Sequence, residues 1–240
     1  MEFEEFKQIL IKESKKIKII ITDDIAKKLY NYMCNLLEWN KKINLTAITN
    51  PNDIIIKHFI DSFTINTYIN RDTSLIDIGT GAGFPGIPIA ILREDLKITL
   101  VDSLQKRINF LNDVICKLEL KNVIAIHSRA EEIGQDFNYR EKFDIATSRA
   151  VTNMSTLAEY MIPFIKKDGI CICMKGANVD EELKNCDKAV RVLGGRLEKR
   201  EEFFLLNKEN KRNIIIIRKV RSTPNEYPRK QIKILKEPIK

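Results

Sequence analysis

The sequence lacks any long hydrophobic run. No apolar stretch in its 240 residues approaches the ~18 residues that a membrane span needs. The acidic amino terminus, MEFEEF, also lacks the basic and then apolar segments of a signal peptide. Since 44% of the residues are hydrophobic and 31% are charged, the composition is that of an ordinary globular protein. We therefore expect a cytoplasmic protein with no membrane partner.

Paired cysteines are absent as well. The chain has no C-x-x-C motif, and its five cysteines are scattered: Cys34, Cys116, Cys171, Cys173 and Cys186. An odd number at irregular spacing argues against a disulfide framework and against a zinc site. We expect reduced thiols and no metal centre.

Glycine is scarce, yet four of the nine glycines lie within eight positions. They belong to the stretch DIGTGAGFPGIPIA, which follows a short apolar run. The spacing of Gly81, Gly83 and Gly86 fits the dinucleotide motif G-x-G-x-x-G. Counted from Asp77, the same stretch fits the pattern acidic-x-G-x-G-x-G. The pattern predicts a cofactor loop between a strand and a helix, and it leaves open whether the cofactor is NAD or S-adenosylmethionine.

The apolar periodicity divides the chain into two kinds of structure. Before about Asp72, apolar residues recur at helical spacing, with a helix cap at Thr22 or Asp23. After Ser74, strand and helix patterns alternate, which is typical of a parallel sheet covered on both faces. Strands are predicted near 74–79, 97–102, 122–128, 143–149 and 169–176, with helices near 85–93, 104–119, 153–166 and 179–193.

The last two predicted strands, near 197–206 and 213–220, are joined by the polar segment LNKENKRN. They predict a hairpin that adds an antiparallel edge. The expected fold is therefore α/β, with a Rossmann-like sheet preceded by a small helical region. We predict three parts: a helical region over 1–71, a cofactor-binding domain over 72–221, and a basic tail over 222–240 that wraps the surface or stays mobile.

Three features bear on the cofactor. Asp102 ends the second predicted strand ~20 residues beyond the central glycines, where an acidic residue meets ribose hydroxyls. NAD and S-adenosylmethionine both carry that ribose, and Asp102 could instead cap the next helix. Pro85 and Pro88 remove backbone N–H groups that a pyrophosphate needs. Asp77 would repel a pyrophosphate but attract a sulfonium or an amino group. S-adenosyl-L-methionine is thus favoured, with an NAD-dependent oxidoreductase as the alternative.

Positive charge is concentrated at the carboxyl end. The net charge is +8, and the segment 218–240 carries eight basic residues against two acidic ones. Such a segment suits a polyanion such as RNA, so Arg229 and Lys230 are candidate RNA contacts. The alternative is a tail that only improves solubility. A non-catalytic RNA-binding or assembly factor therefore also remains open.

Further candidate site residues stand at or just after the ends of three predicted strands. Arg149 ends the fourth predicted strand and could hold the cofactor carboxylate, a base edge or a phosphate with its guanidinium fork; the alternative is a surface ion pair. Lys175 ends the fifth and could hold a phosphate or be merely solvated. Ala130 and Glu131 follow the third, where an adenine would lie, although Glu131 could instead satisfy a helix dipole.

In the helical region, His58 and Asp61 could share one helix face. They are candidates for RNA contacts or for packing onto the catalytic domain. For His58 a satisfied structural histidine is the favoured interpretation.

An ordered series of motifs resembles one known family. The series is EWNKKINLT (38–46), KHFIDS (57–62), DIGTGAGFPGIPIAI, VDSLQKRINFLN (101–112), SRAEE, DIATSRAV (144–151) and KG (175–176). It closely resembles the glucose-inhibited division protein B family, also called RsmG, of bacterial 16S rRNA guanine-N7 methyltransferases. One difference lies at the end, where Ile232 and Ile234 follow YPRK in place of the glycine and proline that are common in the family.

The resemblance implies a class I methyltransferase sheet and a substrate in the small ribosomal subunit or its assembly intermediate. We expect the protein to act as a monomer. By the resemblance, S-adenosylmethionine would be contacted by Gly79, Phe84, Ala130, Glu131 and Arg149, with Asp102 as an addition. With the loop residues, the predicted cofactor set is Asp77, Gly79, Gly81, Gly83, Phe84, Asp102, Ala130, Glu131 and Arg149, of which Arg149 is also the catalytic candidate. Lys175, Arg229 and Lys230 are the predicted RNA contacts.

The chemistry of the implied reaction is simple. Guanine N7 attacks with a lone pair and has no proton to lose, so no general base is needed, and alignment with stabilisation of charge can supply most of the rate. The fourth strand ends in TSRA and has neither the proline pair of amino-group methylation nor the Pro-Cys of carbon methylation. A methyltransferase acting on a protein or a small molecule remains an alternative.

Overall fold

A seven-stranded sheet organises the chain in the computed structural model, which describes residues 1–205 and 211–239. The strands are β1 (Ser74–Ile78), β2 (Lys97–Asp102), β3 (Val123–His127), β4 (Phe143–Arg149), β5 (Ile165–Lys175), β6 (Gly195–Phe204) and β7 (Lys211–Lys219). Their order is β3-β2-β1-β4-β5-β7-β6. The first five strands run parallel, and β7 runs antiparallel to both of its neighbours. The α/β fold with an antiparallel hairpin is therefore confirmed.

The hairpin is inserted in a way that the sequence did not specify. Its second strand, β7, lies between β5 and β6, so that β6 forms the edge of the sheet. The side-chain pattern explains this order. Ile214–Ile217 is a run of four buried isoleucines, which suits a strand covered on both faces, whereas β6 is mostly charged and largely exposed. Residues 206–210 of the predicted connection lie outside the described residues.

Ten α-helices are described within the same ranges. They are α1 (Phe3–Lys16), α2 (Asp23–Asn40), α3 (Pro51–Ile54), α4 (Asp61–Phe63), α5 (Gly86–Leu92), α6 (Gln105–Lys117), α7 (Ala130–Ile133), α8 (Met154–Met161), α9 (Asp180–Val192) and α10 (Gln231–Lys236). A π-helical turn, Ile55–Ile60, joins α3 to α4. Thr22 caps α2, as predicted, by accepting a hydrogen bond from the Ile25 N–H. No helix within 1–205 or 211–239 combines the length and apolar character needed to cross a bilayer.

One predicted helix was too long. The segment 153–166 was expected to be helical, but α8 ends at Met161 and a short 3-10 turn, Ile162–Phe164, follows. Pro163 explains the early end, because proline cannot donate the backbone hydrogen bond that an α-helix requires. As a result β5 begins at Ile165, four residues before the predicted start at 169.

The amino-terminal helices share a hydrophobic core with one face of the sheet. Phe6, Leu29 and Phe59 belong to the same buried cluster as Leu100 of β2 and Phe110 of α6. Burial of such large side chains contributes about 1.5–3 kcal/mol each. This packing fixes α2 against α5 and α6, beside the loop that follows β1.

The carboxyl-terminal segment packs on the opposite face. Ile234 of α10 is fully buried in the cluster that includes Met154 and Leu157 of α8. The Arg140 guanidinium donates hydrogen bonds to the backbone carbonyls of Thr223, Pro224 and Tyr227. Of the two predicted possibilities for residues 222–239, the structure thus shows the segment wrapping the surface.

Candidate functional site

The glycine loop between β1 and α5 uses its glycines for different purposes. Gly79, Gly81 and Gly83 all have positive φ angles, of 67°, 62° and 93°, in the region that favours glycine. A Cβ atom at Gly81 would meet nothing within 4 Å, so this part of the loop is open to a ligand. A Cβ atom at Gly83 would lie 2.9 Å from the Tyr32 hydroxyl oxygen. Gly81 therefore permits close approach to the backbone, and Gly83 permits packing of α2.

Asp77 holds the two ends of this loop together. Its carboxylate is fully buried, and Oδ2 accepts hydrogen bonds from the Thr80 hydroxyl (2.7 Å) and the Gly86 N–H (2.9 Å). Burial raises the pKa of Asp77 to about 6, although both hydrogen bonds act in the opposite direction. The direct attraction to a sulfonium that the sequence suggested stays a prediction, because the observed contacts of Asp77 are with the loop.

The start of α5 is consequently occupied by a protein carboxylate. In dinucleotide-binding folds the N–H groups at this helix start hold the pyrophosphate. Here the Gly86 N–H donates to Asp77, and Pro88 lacks an N–H group. The geometry at this helix start is thus unfavourable for NAD.

A pocket of about 460 Å³ lies beside the loop, at the carboxyl ends of β1, β2 and β4. Five of the predicted cofactor residues line it: Gly79, Gly81, Phe84, Asp102 and Arg149. Asp77 and Gly83 lie outside this lining and instead hold the loop in place through their contacts with the protein. Ala130 and Glu131 begin α7, beyond the end of β3, and are not part of this lining.

Asp102 connects the loop to the next helix. Its Oδ2 accepts from the Gly81 N–H (2.9 Å) and from the Arg107 guanidinium (3.1 Å), and its Oδ1 accepts from the Leu104 N–H (2.9 Å). Asp102 therefore lines the pocket and supports the turn before α6, but Leu104 and not Asp102 is the N-cap residue of that helix. The contact of Asp102 with ribose hydroxyls stays a prediction. Arg107 was not predicted. The cue in the sequence was only its position on the helix that follows Asp102.

Arg149 is held by the helical region. One terminal nitrogen of its guanidinium donates to the Lys57 carbonyl and to Asp61 Oδ2, both at 3.0 Å. The other donates to His58 Nδ1 at 3.1 Å. The guanidinium carbon lies 4.9 Å from the centre of the Phe84 ring, a cation–π distance. The ion pair with Asp61 is present, but it is largely buried rather than on the surface.

His58 is a neutral structural histidine. Its ring stacks on Phe84 with centres 4.2 Å apart, and its Nε2 lies 2.9 Å from the Thr46 hydroxyl oxygen. Nδ1 faces both the Arg149 guanidinium (3.1 Å) and the Lys57 carbonyl (3.2 Å). Because a guanidinium can only donate, we assign the proton to Nε2, which then donates to Thr46. Burial and the Arg149 charge lower the pKa of His58 to about 3. This agrees with the interpretation favoured from the sequence.

A second pocket, of about 290 Å³, adjoins the first. The two pockets share His58, Arg149 and Ala150 in their linings. Asp61 lines only the second pocket, and its Oδ1 accepts from Arg212 Nε at 3.1 Å. Asp61 is thus bound between two guanidinium groups, one from β4 and one from β7. Sequence reasoning missed Arg212, because nothing in the sequence links it to Asp61, 151 residues away.

The predicted RNA contacts are dispersed. Lys175 lines the second pocket, and its ammonium donates to Glu182 at 2.6 Å and to the Thr152 carbonyl. Arg229 makes a two-pronged ion pair with the buried Glu159, at 2.9 and 2.7 Å. Lys230 is exposed at the start of α10. Neither Arg229 nor Lys230 lines either pocket, and their roles in RNA binding stay predictions.

Comparison with known proteins gives a consistent result. The family model described as rRNA small subunit methyltransferase G (GidB) matches residues 25–215. A protein from Clostridium botulinum (strain ATCC 19397 / Type A), named Ribosomal RNA small subunit methyltransferase G, is 49% identical over 238 residues, which cover 98% of this chain and 100% of that protein.

Among solved structures, a SAM dependent methyltransferase from Aquifex aeolicus matches with a TM-score of 0.54 at 15% identity, over 75% of this chain and 97% of that one. The [4+2]-cyclase SpnF matches with a TM-score of 0.56 at 14% identity, over 84% and 97%. At these identities the structures share the fold alone. Since one of them is a cyclase, the fold does not by itself fix the reaction.

Proposed function

The chain belongs to the rRNA small subunit methyltransferase G (GidB) family, and from this premise we propose that it transfers a methyl group from S-adenosyl-L-methionine to N7 of a guanine in 16S rRNA. The substrate would be the small ribosomal subunit or an assembly intermediate of it. A net charge of +8 supports a polyanionic partner.

One observation at the site carries the choice of cofactor. The glycine loop is open at Gly81, yet the start of α5 is already occupied by Asp77. A cofactor that places a nucleoside against the loop fits this arrangement, whereas a cofactor with a pyrophosphate does not. Of the two cofactors that the sequence left open, this supports S-adenosylmethionine.

Several residues have the right chemistry to hold that cofactor. The Asp102 carboxylate, at the end of β2, offers acceptors for ribose hydroxyls. The Gly79–Gly81 backbone can approach the cofactor closely, and Phe84 with Arg149 closes the side toward the helical region. Of the remaining predicted residues, Asp77 and Gly83 shape the loop. We propose Ala130 and Glu131 as contacts at the far end of the cofactor. When bound, S-adenosylmethionine supplies an electrophilic methyl group on a sulfonium.

The protein then needs to align the base and not to move a proton. His58 is the titratable side chain at the junction of the two pockets, and its nitrogens are engaged by Thr46 and Arg149. A pKa of about 3 keeps it neutral near pH 7, so that it adds no positive charge beside the reacting nitrogen. Arg149 supplies a fixed guanidinium in the wall between the pockets. A neutral histidine and a fixed guanidinium suit attack by N7, which has no proton to lose.

The decisive experiment is transfer of a labelled methyl group to ribosomal particles from a strain that lacks this gene. Wild-type particles, whose target is already methylated, serve as the control. We expect label only in the deficient rRNA, at a guanine N7 when the product is mapped at base resolution. The absence of label in both kinds of particle, from protein that binds S-adenosylmethionine in a calorimetric titration, would contradict the RNA substrate.

A further inference from the structure

We propose that the second pocket, whose lining includes Asp61, Arg149 and the apolar Ile48, Met174 and Phe203, is the site that receives the target guanine out of its RNA strand. In this pocket Arg149 and Asp61 together select guanine over adenine. The inference rests on the proposed function, because it takes N7 as the methylated atom.

The position of the pocket is right for an acceptor base. It shares the wall formed by His58, Arg149 and Ala150 with the cofactor pocket. A base in the second pocket would therefore have one edge at the boundary with the cofactor pocket. Enzymes that modify a base draw it out of the stack into a close-fitting pocket. A volume of about 290 Å³ suits a single base better than a stretch of RNA.

The order of polar groups in the pocket matches the edge of guanine. Going around the base from N7, guanine presents the acceptor O6 and then the donors N1–H and N2–H₂. Of the side chains in the lining, Arg149 is a donor that lines both pockets, whereas the Asp61 carboxylate is an acceptor that lines only the second. Other polar side chains that line only the second pocket are Lys57, Lys175, Arg212 and Asn213. With N7 at the boundary, O6 therefore meets a donor, and N1–H and N2–H₂ meet an acceptor.

Adenine presents the opposite order. After N7 it offers the donor N6–H₂ and then the acceptor N1. In the same pose the amino group would face the Arg149 donors, and N1 would face the Asp61 carboxylate. Both contacts would leave polar groups unpaired inside the pocket, which is costly. The pair Arg149–Asp61 therefore discriminates by repulsion as well as by attraction.

Asp61 has bonding capacity left for a base. A carboxylate offers about four acceptor positions. Two are used by Arg149 at 3.0 Å and Arg212 at 3.1 Å, one on each oxygen. The two guanidinium groups also offset the charge of Asp61, which is largely buried. Arg212 thus acts as a positioning residue that keeps the carboxylate in place.

Flat apolar surfaces complete the pocket. Ile48 comes from the loop after α2, Met174 from β5, and Phe203 from β6. Apolar and aromatic side chains of this kind stack against an extruded base. Ile48 is half-buried and lies in the loop outside any helix or strand.

The first test changes the base. Once the methylated position has been mapped, the rRNA is rebuilt with inosine, which lacks the N2 amino group, at that position. We expect kcat/KM of the wild-type protein to fall about tenfold or more, since a hydrogen bond to a charged acceptor is lost. Equal use of guanine and inosine would overturn the proposal.

The second test changes the acceptor. With Asp61→Asn, guanine methylation should fall, but the ratio of the guanine and inosine rates should approach one, because the partner of the amino group is altered. The matched control is Asp113→Asn, a paired carboxylate on α6 that should keep the wild-type ratio. A wild-type ratio in Asp61→Asn would mean that Asp61 only supports the fold, and this too would overturn the proposal.

The third test closes the pocket and does not depend on Asp61. Ile48→Trp should lower methyl transfer to RNA at least about tenfold and leave S-adenosylmethionine affinity within about twofold, as measured by calorimetry. Ile43→Trp, on the same loop but outside the lining of the pocket, is the control. Unchanged transfer in Ile48→Trp would overturn the proposal.

These outcomes separate this inference from the proposed function. If wild-type protein methylates no guanine in deficient particles, the proposed function fails. If it methylates a guanine and the three tests fail, the reaction stands and the assignment of the pocket is lost.

Discussion

Asp77 is a buried acid whose main partners are the Thr80 hydroxyl and the Gly86 N–H of its own loop. It lies where the sequence placed a cofactor contact, but the observed bonds show it shaping the loop. Its second oxygen is buried and has no hydrogen-bond partner within the described part of the chain. Protonation of the buried Asp77 carboxylate is therefore coupled to the geometry of the cofactor loop.

This coupling predicts a pH dependence of stability. Burial raises the pKa of Asp77 from its ordinary value of 3.8 to about 6, so the folded state binds this proton more tightly than the unfolded state. The contribution is fully present below about pH 4 and is lost as the pH rises through about 6, with a total of at most about 3 kcal/mol. In Asp77→Asn this fall should disappear, because an amide does not titrate in this range, and the fold should survive because the amide oxygen can still accept both hydrogen bonds.

The measurement is the urea midpoint of unfolding at several values between pH 4 and pH 7. Asp53→Asn, a change at a partly exposed carboxylate, is the control and should keep the wild-type profile. An Asp77→Asn profile parallel to that of the wild type would show that Asp77 does not titrate in this range.

Two loop glycines should respond differently to the same substitution. Both Gly81→Ala and Gly83→Ala put a side chain at a positive φ, so the backbone strain is similar. Only Gly83→Ala forces a Cβ atom against Tyr32, Ile87 and Leu111, which should cost a further 1–3 kcal/mol or so in the free energy of unfolding. Gly81→Ala should instead weaken cofactor binding more than it weakens the fold. Denaturant unfolding and calorimetric titration of both variants measure these effects, and equal loss of stability would contradict the assignment.

At the scale of elements, the π-helical turn Ile55–Ile60 brings the helical region to the site. It presents the Lys57 carbonyl and the His58 ring to Arg149, and Asp61 follows at the start of α4. Turns of this kind occur frequently at functional sites. No sequence pattern distinguishes such a turn from an α-helix, and Arg149 lies 88 residues away from Asp61. The strands could be predicted from local periodicity, whereas this contact depends on how distant elements pack.

An ion pair holds the carboxyl-terminal segment before α10, and a single substitution can remove it. Arg229, just before α10, pairs with Glu159 of α8, a carboxylate that is almost fully buried. Arg229→Ala would leave that charge unpaired, and we expect a loss of about 3 kcal/mol in the free energy of unfolding. Adding Glu159→Gln should recover part of the loss, because the buried charge is then gone. A loss of stability that Glu159→Gln does not reduce would exclude the ion pair as its cause.

The residue after Arg229 offers a test of the predicted RNA contacts. The neighbouring Lys230 is exposed, and Lys230→Ala should leave stability unchanged. If Lys230 contacts a phosphate, this change lowers the magnitude of the slope of the logarithm of the RNA binding constant against the logarithm of the salt concentration by about one. An unchanged slope in Lys230→Ala would remove it from the RNA interface.

At the scale of the whole molecule, the helical region and the sheet share one core. The division at 71 that the sequence predicted remains a proposal about domains. The alternation of strands and helices predicted the parallel sheet of β1 to β5 with both faces covered, but it does not fix the order of the strands. The internal position of β7 has a cue in its run of four isoleucines beside the charged β6. The packing of residues 222–239 could not be predicted, because it depends on which faces of the sheet the preceding helices leave uncovered.

A shared core predicts a single unfolding transition. Trp39, the one tryptophan of the chain, lies in α2 and donates its indole N–H to Asp113 of α6 at 2.9 Å. Its fluorescence therefore reports contact between the helical region and the sheet domain. We expect the urea midpoint from fluorescence to coincide with that from far-UV circular dichroism. An earlier fluorescence transition would show that residues 1–71 unfold separately.

The charged edge strand β6 has a consequence for how copies of the protein behave in a crowded solution. An open sheet edge can capture a strand of another molecule and so begin aggregation. On β6, Arg200 pairs with Asp180 and Glu202, and Glu198 pairs with Arg218. An incoming strand would have to strip water from these charges. The sheet can thus end in an open edge and still resist growth into a fibril.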